Sequence, residues 1–142
     1  MIHGGYSGVD SVEYYNKYLD GNLCWVVALG TNDAAATTFD KQEVRFSDMM
    51  NAIGNDPVIW INVWMDSSIR PEYNTEVASA WNAMLNEKAQ IYKNMRVYDW
   101  AELAKNNPDW FISDHLHYNN TGSEHRAKMI VSSVKMMLKG KL

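Results

Sequence analysis

Leu23-Cys24-Trp25-Val26-Val27-Ala28-Leu29-Gly30-Thr31-Asn32-Asp33 is the stretch that decides the fold. An unbroken apolar run closed by a glycine and three polar residues reads as a strand buried on both faces with a tight exit. Half-wet antiparallel strands alternate instead, so the run points to a parallel sheet. Two more runs of this kind follow, at residues 57–63 and 95–98. Between them the period changes to that of helices. Residues 39–53 carry Val44, Phe46, Met49, Met50 and Ile53 on one face, and Gly54 stands ready as a C-terminal cap. Residues 74–92 carry Val77, Ala80, Trp81, Met84, Leu85 and Ile91, with Asn74 as N-cap and Glu76 and Glu87 on the wet side. Asp10 or Ser11 is expected to cap a shorter helix ending near Leu19. A last helix is expected over 121–138, announced by the capping-box pattern Thr121-Gly122-Ser123-Glu124. Strands alternating with helices predict an α/β fold with right-handed crossovers. Ligands in such sheets bind at the carboxyl ends of the strands, here the loops after Leu29, Val63 and Asp99.

The chain has 142 residues, the size of a single domain. Its net charge of −4 and the lack of a basic cluster beyond Lys135, Lys139 and Lys141 argue against a nucleic-acid surface. No run approaches the ~20 apolar residues of a membrane span. Met1-Ile2-His3-Gly4-Gly5 lacks the basic start and apolar stretch of a signal peptide. Cys24 is the single cysteine, expected as a buried thiol at a strand end; it can form no intrachain disulfide.

Two motifs carry chemistry. In Asp114-His115-Leu116-His117 a carboxylate stands three residues before an imidazole, within reach to fix its tautomer and stabilise its charged form. Otherwise Asp114 caps a turn and His117 is solvated. A metal reading groups Asp114, His115, His117 and His125, but no further ligand stands at a characteristic spacing. Gly30-Thr31-Asn32-Asp33 is either an ordinary strand-end turn or a turn whose Asn32 amide donates to a developing oxyanion. Trp64, Trp100 and Trp110 fall in or beside the loops after strands, where they either stack on a sugar ring or acyl group or fill the core. Tyr14, Tyr15 and Tyr18 read as packing and surface.

Taken together, these motifs resemble the SGNH (GDSL-type) hydrolases, a family of flavodoxin-like α/β esterases and acyl-transferring enzymes. The third block of that family, a strand followed by Gly-x-Asn-Asp, matches Gly30 to Asp33; the fifth, Asp-x-x-His before a polar turn and a helix, matches Asp114 to His117 with Asn119 and Gly122. Gly5-Tyr6-Ser7-Gly8 is similar to the second block, with Gly8, or in another register Gly5, as its oxyanion-hole glycine. Within the family, residues 25–32 and Asn107-Pro108-Asp109-Trp110-Phe111 resemble extracytoplasmic O-acetyltransferase-type domains of bacteria. The resemblance runs from Ile2 to the last helix and implies a three-layer α/β/α domain. It further implies Asp114 and His117 as catalytic residues, Asn32 and Gly8 as oxyanion hole, and no metal or organic cofactor. The implied substrate is a small-molecule or glycan O-acyl ester, in an extracytoplasmic or secreted setting.

Block one, Gly-Asp-Ser at the end of a strand, does not match. Gly8-Val9-Asp10-Ser11 has a residue too many and no strand before it, and Ser11 reads better as an N-cap than as a nucleophile. Ser7, Ser67 and Ser68 follow no strand in the required place. The expectation is therefore a single domain over 1–142 that is amino-terminally incomplete, without its first strand and with an exposed sheet edge through which it could associate. The alternative function is a catalytically inactive glycan- or acyl-binding pseudoenzyme; a third is a flavodoxin-like interaction domain in which Asp114 and His117 are incidental.

Overall fold

Strand β2 (Val58–Ile61) is buried at every position because it lies in the middle of a three-stranded sheet with both faces covered. It pairs in parallel with β1 (Trp25–Val27) on one side and β3 (Met95–Tyr98) on the other, with Trp25 opposite Val58 and Val58 opposite Met95. The computed structural model describes residues 5–19 and 23–140. Side chains alternate between two apolar cores. Val27, Val58, Trp60 and Met95 point into one with α1 (Gly5–Tyr18), α3 (Phe39–Ile53) and α4 (Thr75–Ile91). Val26, Ile59, Ile61 and Tyr98 point into the other with α5 (Trp100–Lys105), a single 3₁₀ turn at Pro108–Trp110 and α6 (Asn120–Leu138). Helices thus cover both faces of a parallel sheet, an α/β architecture in three layers.

The expected helix ends at Gly54 and Asn74 are present: Gly54 takes φ 67° and donates to the Met50 carbonyl, and Asn74 accepts from the Val77 amide. Other boundaries differ. Helix α1 begins at Gly5, so Asp10 and Ser11 are interior residues and not caps. An added Cβ at Gly8 would lie 2.7 Å from Leu29 and Met49, so the glycine's missing side chain is what lets α1 lie close against its neighbours. Helix α6 is capped by Asn119, whose side chain accepts from the Gly122 amide; Thr121 is already inside the helix, and no capping box forms. The apolar run at 23–29 pairs for only three residues, since the chain leaves the sheet beyond Val27. Cys24 is half-buried rather than buried, and burial raises its thiol pKa.

The exit from β1 depends on Gly30. It has φ 135°, and a Cβ there would come within 2.6 Å of the Trp81 indole. Gly30→Ala is expected to cost about 2–5 kcal/mol, the sum of a disallowed φ and overpacking against a buried tryptophan. A thermal melt by circular dichroism checks this; an unchanged midpoint would show that the turn is not held as described.

Candidate functional site

The residues that matter converge where β1 and β2 end. After β1 the chain turns at Gly30 into the short helix α2 (Thr31–Ala36), which carries Asn32 on its first turn. The Trp60 indole donates to the Leu29 carbonyl at 3.2 Å and pins this exit to β2. Asp33, buried, pairs with Arg45 of α3, which makes it an anchor of α2. Asn32 is oriented by Tyr73: the tyrosine hydroxyl lies 3.1 Å from its Oδ1 and donates to it, which leaves the amide NH2 as the available donor.

Asp114 organises the second half of the site. Its Oδ1 accepts from the backbone amides of Leu116 and His117, both at 2.9 Å, closing a tight turn in which His115 takes φ 55°. Its Oδ2 is 2.5 Å from His117 Nδ1. One carboxylate therefore fixes both the loop and the imidazole. The His117 side chain keeps 69% of its exposure while Asp114 keeps 14%, so the acid is the half-buried brace and the imidazole the accessible group. The bonds from the His117 side chain and amide hold the Asp114 carboxyl at a pKa of about 2, below its ordinary 3.8. The loop is tied to the one after β2, since the Ser68 amide donates to the Asp114 carbonyl (3.2 Å) and its hydroxyl to the Ser113 carbonyl (3.1 Å). Asn119 locks the following helix start by donating to the Asp109 carbonyl, and Gly122 lies so close to the Trp110 carbonyl that a Cβ would stand 2.2 Å from it.

Asn32 and His117 line one cavity of about 340 Å³ together with Trp64, Arg70, Tyr73 and Arg126. Gly8 is not brought there. It lies in α1 and lines a separate apolar trough of about 270 Å³ along the edge of β1 that no strand among the described residues pairs, with Ser11, Trp25 and Leu29. Gly5 starts the same helix. Of the tryptophans, Trp64 faces the cavity, whereas Trp100 is fully buried and stacks on Trp110 at 5.5 Å, so these two are core. His125 stacks on Trp110 at 4.2 Å, and among the described residues no three His, Cys, Asp or Glu side chains are arranged to hold a metal ion. The hydroxyls of Ser67 and Ser68 bond backbone groups. The Ser7 side chain lies outside the described residues. Arg70 and Tyr73, on the loop before α4, and Arg126, on α6, carry no local motif, so only the fold reveals them.

The fold and this site define an α/β domain that presents a carboxylate-braced histidine and an oriented amide in one cavity at the carboxyl end of its sheet. The chain is 22% identical over 121 residues to the O-acetyltransferase OatA of Staphylococcus aureus strain NCTC 8325 / PS 47, and equally to OatA of strains COL and MRSA252. The match covers 85% of this chain and 18% of each relative, so the chain spans less than a fifth of the length of the curated relatives it matches. This is a distant, acetyltransferase-like relationship. No family model matches the chain.

Proposed function

We propose that residues 1–142 supply the base and oxyanion side of an SGNH-type ester hydrolase or acyl (acetyl) transferase acting on O-acyl esters, cell-envelope glycans included. The observation that carries this reading is the Asp114–His117 bond at 2.5 Å beside an Asn32 amide oriented by Tyr73, with His117 and Asn32 sharing one cavity. With Nδ1 bound to the carboxylate, Nε2 is the nitrogen left to take a proton from an attacking hydroxyl and return it to the leaving alcohol. The Asn32 amide then donates to the oxyanion. No chemistry here calls for a metal or organic cofactor. The nucleophile belongs to a segment outside these residues that pairs with the open edge of β1; the apolar trough along that edge fits such a strand. Gly8, the second oxyanion donor implied by the resemblance, contributes only in a conformation in which its segment leaves α1. A glycan is supported by Trp64, which also walls a polar cleft of about 310 Å³ lined by Asn62, Asn82, Asn86, Asp99 and Glu102.

Asn32→Ala tests the reading. In the gene product that carries the nucleophile, kcat for ester turnover should fall about 10²–10³-fold, the loss typical of one oxyanion donor, with KM little changed. Unchanged kcat would remove Asn32 from the site. The second reading is a glycan- or acyl-binding pseudoenzyme, favoured by the engagement of the Ser67 and Ser68 hydroxyls with backbone groups. Saturable binding of an acylated glycan without turnover would select it.

A further inference from the structure

The cavity beside His117 is cationic in a chain whose net charge is −4. Two arginines line it, and no carboxylate is among its lining residues. Arg126 reaches it from α6, largely shielded from water, and donates through Nη1 to the Tyr118 hydroxyl at 2.9 Å. Its guanidinium lies over the rings of Trp100 and Tyr118, 5.2 and 5.1 Å from their centroids. The Trp100 indole donates to the same Tyr118 hydroxyl at 2.9 Å. All of these partners are neutral, and among the described residues no carboxylate pairs with Arg126. Burial lowers its pKa from the ordinary arginine value, the direction expected of a desolvated cation without a counter-charge. Arg70, exposed, extends over Tyr73 at 5.8 Å from the ring centroid, so the hydroxyl that orients Asn32 belongs to a ring flanked by a second guanidinium. Asp114 is bound to His117 and is not part of the lining. A half-buried guanidinium offers planar, paired donors that suit a carboxylate or phosphate far better than a neutral sugar hydroxyl.

We propose that this cavity binds an anionic group of the substrate, a carboxylate or a phosphate, between Arg126 and Arg70 and next to the atoms that handle the ester. The placement of the ester rests on the acyl-transfer reading above; the anion site rests on the arginines alone. The substrate class thereby narrows to O-acyl esters of acidic glycans or of similarly charged carriers. The arginines act as specificity residues: they hold the anion and so set which alcohol stands at His117.

Calorimetric titration of the gene product with glucuronic acid, glucose 6-phosphate and glucose tests this. At least one of the two acids should bind about tenfold or more tightly than glucose, with affinity falling as salt rises. Preference for glucuronic acid or for glucose 6-phosphate tells carboxylate from phosphate. Arg126→Gln and Arg70→Gln should each remove most of that advantage. Arg126 also braces Tyr118 and Trp100, so its variant could unfold; Arg70 is exposed, and its variant decides the matter with the fold intact by circular dichroism. Glucose binding as well as both acids would overturn the proposal, as would Arg70→Gln and a folded Arg126→Lys that both leave acid binding unchanged. Turnover of acetyl esters of glucose and of whichever of the two acids binds more tightly separates the two readings. Acid binding without ester turnover leaves the anion site standing and removes the acyl-transfer reading. Equal turnover of both esters does the reverse.

Discussion

Replacing His117 with alanine is expected to lower ester turnover about 10³–10⁴-fold in the gene product that carries the nucleophile, while the domain stays folded. The imidazole is the proton carrier, and general acid–base catalysis by a positioned group contributes on that scale. The side chain is 69% exposed and its bond to Asp114 lies at the surface, where such pairs contribute less than about 1 kcal/mol. A thermal midpoint shifted by no more than a few degrees, measured beside steady-state kinetics, separates lost chemistry from lost structure. Near-normal turnover in the variant would remove His117 from the mechanism.

Asp114→Asn should be at least as damaging, about 10⁴-fold in kcat, although it changes a single atom. The Asn oxygen can still accept from the amides of Leu116 and His117, so the turn survives. Its NH2, however, would then face His117 Nδ1 and donate to it. That places the proton on Nε2, the nitrogen that must accept one. The effect should appear in kcat more than in KM. A second readout follows from protonation. The Asp114 pKa is depressed in the fold, to about 2 from 3.8, so the stability it contributes is complete above the unfolded value and is lost as pH falls through the folded one. Wild type should therefore lose this increment between about pH 4 and 2, and Asp114→Asn should not show that step in an acid titration followed by circular dichroism. An identical acid profile would mean that the carboxylate is not held as described.

Much of this was legible in the sequence because it is local. Strand β3 spans the four residues read as a strand, and α3 spans the fifteen residues given by the period of Phe46, Met49, Met50 and Ile53. Asp114 and His117 find each other because three residues of one turn separate them, so no tertiary information is needed. Tertiary contacts hid the rest. The sequence predicts a first helix starting at Asp10 or Ser11, since glycine is a poor helix former, yet α1 runs from Gly5 and includes Gly8, which packs close to Leu29 and Met49. Helices α2 and α5 have six residues each, too few to display a period. The start of α6 looked like a capping box, but Asn119 takes the cap because it also ties the helix to the Asp109 carbonyl. Tyr73, Arg70 and Arg126 reach the cavity from the loop before α4 and from α6, a placement that only chain topology decides.

Labelling with a fluorophosphonate probe, mapped by mass spectrometry, tests the central claim most directly. The gene product bearing these residues should take one label on a serine outside residues 1–142, and His117→Ala should abolish it. Labelling of Ser11 or any other serine within these residues, or labelling indifferent to His117, would contradict the assignment of this domain as the base and oxyanion half of an acyl-transfer site.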